Sequence, residues 1–193
     1  MKCWLLVLAL IASPVLADNG ILLVAKPTLV DPNFKETVVI VTRAQDGHTV
    51  GVVLNRPLSL HLADIAPPWP AAEKYAEPLY AGGPVMREVV VALFTADTTP
   101  EDSAFQVLPN IWLTLHPRLI TRLLSGHGDA PLRLFAGFAG WAPQQLEAEM
   151  DEGAWYALRA SESVLFRKDT SSLWRELIEQ AGGGRAANDR ELY

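Results

Sequence analysis

Cysteine is almost missing: the chain has one, Cys3, and none in residues 4–193. That excludes a disulfide and any thiolate metal site from the body of the protein. It also suits an oxidising compartment, where a lone exposed thiol is a hazard. Basic runs are missing as well. Lys and Arg number 16 against 22 Asp and Glu, for a net charge of −6, and no basic cluster goes beyond Arg167-Lys168. A nucleic-acid binder concentrates positive charge on one face, so no nucleic-acid partner is expected. After residue 17 no apolar stretch approaches the roughly 20 residues of a bilayer-spanning helix, so no further membrane span is expected. There is no Gly-x-Ser-x-Gly elbow, no GxGxxG loop, no Walker lysine and no HExxH pair. No catalytic residue, cofactor or metal is therefore assigned.

What is present begins at the N-terminus. Lys2 gives a short positive start, Trp4 to Ala12 is an apolar run, and Ser13-Pro14-Val15-Leu16-Ala17 breaks it. This is the build of a cleavable secretory signal, with the cut between Ala17 and Asp18. The apolar run is too short to stay as an anchor, and Asp18 stands where a lipoprotein needs Cys. Lys2 is the only charged side chain of residues 1–17, so its removal takes the net charge from −6 to −7. The expected product is a periplasmic or secreted protein. Residues 18–182 read as one domain and residues 183–193 as a disordered tail.

Within that domain, Ile21 to Ala25 is a continuous apolar run, the pattern of a strand buried on both faces. Thr37 to Thr42 and Thr49 to Leu54 are β-branched runs flanking Asp46-Gly47, which predicts a β-hairpin. Val89 to Thr95 and Leu132 to Ala136 read as further strands, and residues 66–78, with four prolines, as a loop. Pro117 to Ser125 and Pro143 to Glu152 each start on Pro and stop at Gly, as helices do. Ser171 to Ala181 reads as a third helix stopping at Gly182. Strands and helices interleave irregularly, which favours α+β over a doubly wound parallel fold.

Three segments carry unusual chemistry. Asn55-Arg56-Pro57 follows a strand, and Arg56 there either grips a carboxylate or phosphate or ties the strand end to a neighbour such as Glu147. Gly82 and Gly83 form a second glycine turn. It is either an anion-binding nest of backbone N–H groups or a tight turn. In Phe135 to Met150, Gly137 and Gly140 are expected to let the backbone turn between a strand and the helix begun by Pro143. That junction offers N–H groups to an anion, with Trp141 as a wall or a core plug and Gln145 and Glu147 close by. His127, in a polar glycine loop, is the one histidine to consider as a base, with Glu147 or Asp129. A solvated loop histidine is the bland alternative.

Val24-Ala-Lys-Pro, Leu29-Val-Asp-Pro-Asn-Phe34, Gly51-Val-Val-Leu-Asn-Arg-Pro57, Gly82-Gly-Pro-Val85 and Gly137-Phe-Ala-Gly-Trp-Ala-Pro-Gln-Gln-Leu-Glu-Ala-Glu149 occur in an order that resembles the YqgE/AlgH proteins. The resemblance covers residues 20–181. It implies an α+β fold in which a bifurcated sheet curls into a small barrel surrounded by helices. It implies no reaction, and the name AlgH carries a proposed role as a transcriptional regulator. Three positions depart from the family pattern: Phe138 replaces Tyr, Gln144 replaces Gly, and Gly153 replaces Asn. Gly and Asn both tolerate the left-handed geometry of a helix stop.

Together these features describe an exported binding or accessory domain. Its candidate surface joins Asn55, Arg56, Gly82, Gly83, Gly140, Trp141, Gln145 and Glu147, where a small anion or a protein partner would sit. Arg56 and Trp141 are expected in one cluster, with Glu147 or a backbone carbonyl satisfying the guanidinium. A regulator or a hydrolase-type enzyme is the alternative.

Overall fold

The structure is a computed structural model and describes residues 20–65, 71–101, 103–126 and 128–188. The expected leader with its cut at Ala17-Asp18, His127, three prolines of the proline-rich loop and residues 189–193 lie outside the described residues.

Strands β1 (Gly20–Ala25), β2 (Val38–Arg43) and β3 (Thr49–Val53) form an antiparallel meander. Leu22 and Val24 of β1 enter one hydrophobic cluster, and Leu23 and Ala25 another. The strand is covered on both faces, so its sequence shows no alternation. The hairpin at Asp46-Gly47 forms as expected. Gly47 has a φ of +85°, and Ala44 N–H donates to the His48 carbonyl at 2.8 Å.

Farther along come α1 (Leu62–Ile65), a 3₁₀ turn (Ala72–Lys74), β4 (Tyr80–Ala81), β5 (Val85–Thr95), β6 (Phe105–Leu108), β7 (Ile111–Thr114) and α2 (Pro117–Gly126). The chain then forms β8 (Leu132–Trp141), α3 (Gln145–Asp151), β9 (Trp155–Arg159), α4 (Glu162–Leu165) and α5 (Leu173–Asn188). The sheet order is β6-β7-β5-β8-β3-β2-β1-β9, with β4 added parallel to β8.

β8 divides this sheet. Its first half pairs with β5 and β4, while Ala139 to Trp141 pair with β3. At the junction Gly137 has a φ of +73° and the β5–β8 register shifts between Val85 and Val90. The extra residues and the glycine bend the strand, as bulges do. The sheet then curls until its β6 edge reaches the face of β2. Thr42 Oγ1 donates to the Gln106 carbonyl at 2.7 Å, so β6 folds back against β2. This is an α+β fold with a bifurcated sheet curled into a half-barrel.

Helices plug the curl and cover its outside. Leu165 of α4 and Leu173 and Leu177 of α5 pack inside against Leu22, Ile40 and Phe135. Leu119, Ile120 and Leu124 of α2 cover Ala92, Phe94 and Leu134 on the outer face. Leu146 of α3 covers the outer face of β1, β2 and β3 together with Trp141 and Trp155. The 3.6-residue spacing of apolar positions in each helix is what lets one stripe meet the sheet.

Several boundaries differ from the sequence reading. Gly140 lies inside β8, with no positive φ, and does not turn the chain. The turn comes later, and α3 starts at Gln145 after Gln144 at a φ of +68°. That left-handed geometry favours glycine, the residue Gln144 displaces from the family pattern. α3 ends in a Schellman motif. Ala154 N–H donates to the Glu149 carbonyl at 2.9 Å and Gly153 N–H to the Met150 carbonyl at 3.0 Å, with Gly153 at a φ of +81°. At the other terminus α5 runs to Asn188, past the stop expected at Gly182. Gly stops a helix only when the next turn takes the left-handed cap. Without that cap, three glycines cost about 1 kcal/mol each against Ala and the helix continues.

Gly137 and Gly140 make a paired test. A Cβ on Gly137 would lie 2.8 Å from the Val85 carbonyl oxygen, whereas on Gly140 its nearest neighbour is the Phe138 ring at 3.6 Å. Gly137→Ala is expected to lower stability by about 2–4 kcal/mol, from left-handed strain and overpacking. Gly140→Ala should stay within about 0.5 kcal/mol of the parent. Urea unfolding of both variants checks the difference.

Candidate functional site

The segment after β3 is held by the side chains of Asn55 and Arg56. Asn55 Oδ1 accepts from Val38 N–H at 2.8 Å, and its Nδ2 donates to the Glu36 carbonyl at 2.9 Å. Arg56 reaches over the Asp31–Glu36 loop. Nη1 donates to the Asn33 carbonyl at 2.6 Å, and Nη2 to the carbonyls of Pro32 and Lys35 at 3.2 and 3.1 Å. Partial burial pushes the guanidinium below its ordinary value, against the opposing pull of the Asp31 charge. Backbone carbonyls, and not Glu147, satisfy Arg56.

Arg56 also walls a cleft of about 380 Å³. Asn33, Gly83, Pro84 and Arg87 complete its rim, and Val53, Leu58, Leu60, Ala81 and Ala136 give it an apolar floor. Arg87 is exposed, and its Nη2 donates to Asn33 Oδ1 at 3.3 Å. Among the described residues neither arginine has a carboxylate within ion-pair distance, so the rim carries two cations without a direct carboxylate partner above an apolar wall. The Gly82-Gly83 turn is no open nest. Gly82 N–H donates to the Ala136 carbonyl at 2.9 Å, and a Cβ there would fall 2.1 Å from the Gly137 carbonyl oxygen. Glycine is needed at this point for backbone approach, and its donor is used.

The remaining sequence candidates lie on the other side of the same loop. Trp141 is 2% exposed. Phe34 stacks on it at 5.7 Å between ring centroids and meets Trp155 edge-on at 5.5 Å. Glu149 Oε2 accepts both indole N–H groups, Trp141 and Trp155, each at 3.0 Å. Gln145 donates to Glu149 Oε1 and accepts from Ala142 N–H, both at 3.1 Å. Trp141 is therefore a core plug, and Gln145 ties the turn before α3 to Glu149. Glu147 is exposed and pairs with Arg43.

The candidates thus fall around two centres. Arg56 and Gly83 line the arginine cleft, with Asn55 and Gly82 next to them in the chain. Trp141 and Gln145 converge on Glu149, with Gly140 next to Trp141 in the chain and Glu147 turned instead to Arg43. The Asp31–Glu36 loop joins them, giving its carbonyls to Arg56 and its Phe34 ring to Trp141.

Two residues escaped the sequence reading. Glu149 is not among the sequence candidates, although its spacing from Gln145 and its nearness to two tryptophans mark it. Arg133, a lone charge in the apolar run Leu132-Arg-Leu-Phe135, is 1% exposed. Its Nη1 donates to the Leu165 carbonyl at 2.9 Å, its Nη2 to the Arg167 carbonyl, and its guanidinium lies 4.6 Å over the Tyr80 ring. Nearby Tyr75 Oη accepts from Leu134 N–H at 3.0 Å, and burial pushes its phenol well above the usual value.

Acid–base chemistry finds less. His48 Nδ1 lies 3.2 Å from Asp46 Oδ2, with both side chains mostly exposed. His48 holds the Asp46 carboxyl below its usual range, chiefly through its backbone N–H. No group of three or more His, Cys, Asp or Glu that could hold a metal occurs among the described residues. None of their helices is long and apolar enough to cross a membrane.

Fold and site define a curled-sheet α+β domain with an amphipathic, arginine-rimmed cleft. The chain belongs to the AlgH-like family, whose model matches residues 22–186. A UPF0301 protein of Thermobifida fusca is 36% identical over 183 residues, covering 87% of this chain and 89% of that one. Another, from Chlorobaculum tepidum, is 32% identical over 177 residues, covering 90% and 92%. Among solved structures, the AlgH protein of Pseudomonas aeruginosa superposes with a TM-score of 0.69 at 26% identity, covering 89% of this chain and 92% of that one. A protein of Corynebacterium diphtheriae gives 0.65 at 26%, covering 84% and 86%. The similarity spans the half-barrel and its helices.

The tryptophan cluster generates a stability test. Glu149→Leu strands two indole donors, at about 1–3 kcal/mol each, and is expected to cost about 2–6 kcal/mol in all. Glu149→Gln keeps an acceptor oxygen and should lose less. Glu147→Ala removes an exposed pair and should cost no more than about 1 kcal/mol. Thermal and urea unfolding of the three variants ranks them.

Proposed function

We propose that this protein is a non-enzymatic binding domain that works outside the cytoplasm, and that its ligand enters the Arg56–Arg87 cleft. The observation that carries this reading is the pairing of chemistry there. Two guanidinium groups that have no carboxylate partner among the described residues border a floor of Val53, Leu58, Leu60, Ala81 and Ala136. A site with an apolar wall and a few convergent polar groups fixes a ligand by both ends. The matching ligand has an anionic head and a short apolar body, such as a medium-chain carboxylate or the C-terminal end of an apolar peptide. Arg56 is already committed to three carbonyls, so Arg87, tethered by a single 3.3 Å contact, is the arm that turns to an incoming anion. The Lys2-to-Ala17 leader supports the location. A net charge of −6 does not favour nucleic acid as the partner.

Octanoate is the probe for the cleft and octanol its uncharged control. A ligand that binds only the native state raises the melting temperature by mass action. Octanoate is expected to raise that of the purified protein, octanol to do so weakly, and Arg87→Ala to abolish the octanoate response while leaving the unliganded melting temperature nearly unchanged. An equal response from parent and variant would remove the cleft from consideration. For the location, protein recovered from its host should fractionate outside the cytoplasm and begin at Asp18 on N-terminal sequencing. Soluble cytosolic protein beginning at Met1 would overturn export.

A further inference from the structure

We infer that Arg133 is the floor of a second, separate binding site, one that takes a small monoanionic oxyanion of the carboxylate or phosphate type. The starting point is an imbalance of charge. Arg133 is 1% exposed, and among the described residues no carboxylate lies within ion-pair distance of it. Two carbonyls and the face of Tyr80 are its partners, and its Nε–H, buried, has none. A buried cation without an anion is costly, and an unmet buried donor adds to the cost.

Although almost wholly covered, Arg133 is among the residues that line a cleft of about 340 Å³ between the 3₁₀ turn, the start of β8 and the segment after α4. The charged groups of that cleft are Arg133, Lys74 and Lys168 against Glu77 and Asp129. Glu77 is partly engaged, since Lys168 Nζ lies 3.8 Å from its Oε1. Three cations face two carboxylates, and one negative charge would balance them. Guanidinium is the group best shaped to hold such an oxyanion, because its donors lie in one plane. A second hollow, of about 420 Å³, adjoins through Ala76, Glu77 and Lys168 and is lined also by Pro57, Pro78 and Tyr80. It leaves room for the body of an organic carboxylate, which inorganic phosphate does not need.

The loop that holds Arg133 is fastened from behind. Arg167 makes a two-pronged contact with Glu176 of α5, at 2.6 and 2.8 Å. This fixes the segment whose Leu165 and Arg167 carbonyls face Arg133. The guanidinium is therefore held in place before any ligand arrives. Such preorganisation lowers the ordering cost of binding.

The test follows the Nε–H resonance of Arg133 by NMR on the full protein, at constant ionic strength. Titrations use inorganic phosphate, acetate and, as a control, chloride. Saturable movement of that resonance with phosphate alone assigns a free phosphate site, and movement with acetate assigns a carboxylate site. Either supports the inference. No movement with either anion, or equal movement with chloride, overturns it and leaves Arg133 as a staple between β8 and the loop after α4. Because Arg133 substitutions risk unfolding the core, the supporting variant is Lys74→Ala/Lys168→Ala at the rim. It is expected to weaken binding about tenfold, equal to about 1.4 kcal/mol, with no change in melting temperature. Unchanged binding in that variant would also count against the site. Arg87→Ala should leave the titration untouched, which separates this site from the Arg56–Arg87 cleft.

Discussion

The backbone of Gly82 and Gly83 lies directly against the backbone of β8, and the rest of the architecture is arranged around that contact. A Cβ on Gly82 would stand 2.1 Å from the Gly137 carbonyl oxygen, and one on Gly83 would stand 2.3 Å from the Phe138 carbonyl. Only glycine permits such an approach. Because of it, Gly82 N–H pairs with the Ala136 carbonyl while its own carbonyl accepts from Val53 N–H at 2.8 Å. One short segment thus ties β8 to the end of β3 at the point where the sheet divides. The consequences run in both directions along the chain. Tyr80, two residues before the contact, lies over Arg133, and Arg87, a few residues after it, borders the other cleft. Both candidate sites hang on the same glycine junction.

The two arginines show how burial changes the work of one side chain. Arg56 sits half-exposed over a loop, where water shares in satisfying whatever its three carbonyls leave unmet. It organises the Asp31–Glu36 loop, and through Phe34 that order reaches the tryptophan cluster. Arg133 has the same donors but almost no water, so each unmet donor costs more. Two carbonyl dipoles and a ring face stabilise its charge less well than a carboxylate would. That difference in solvation, more than any difference in sequence context, separates a loop clamp from a candidate anion floor.

Much of the fold was legible because it rests on local signals. Apolar runs gave β1, β2, β3 and the core of β8, Asp46-Gly47 gave the hairpin, and Pro117 with the 3.6 spacing of Leu119, Ile120 and Leu124 gave α2. The short strands β6, β7 and β9 were not legible. Their four or five residues carry too little pattern, and pairing partners distant in sequence decide them. Gly140 misled because a strand glycine and a turn glycine look alike until the partner strand is known. Gly182 misled because a helix stop depends on where the next residues go. For the site, residue types were readable and groupings were not. Arg56 and Gly83 do share a cleft, but Glu147 answers to Arg43, and Glu149 is the carboxylate that Trp141 needs. Which of two glutamates one helical turn faces inward depends on the exact start of α3, and that start moved from Pro143 to Gln145.

The segment from Leu165 to Thr170 shows how the fold holds a buried cation that has no carboxylate partner among the described residues. Its carbonyls face Arg133, and its position depends on Arg167 and Glu176. The Arg167 guanidinium, aided by Ser172, holds the Glu176 carboxyl down to about 2. A carboxylate depressed in the folded state stabilises the fold above its ordinary value near 4.5 and loses that contribution only as pH falls toward 2. The clamp is therefore intact across neutral and mildly acidic conditions. An exposed ion pair is worth little to overall stability, and here its consequence is positional. It keeps two carbonyl dipoles aimed at Arg133, while Tyr80 covers the guanidinium from the glycine junction. Surface charge and backbone geometry together maintain the interior site, so its partial vacancy of partners is a fixed property of the fold and not a passing arrangement of one side chain.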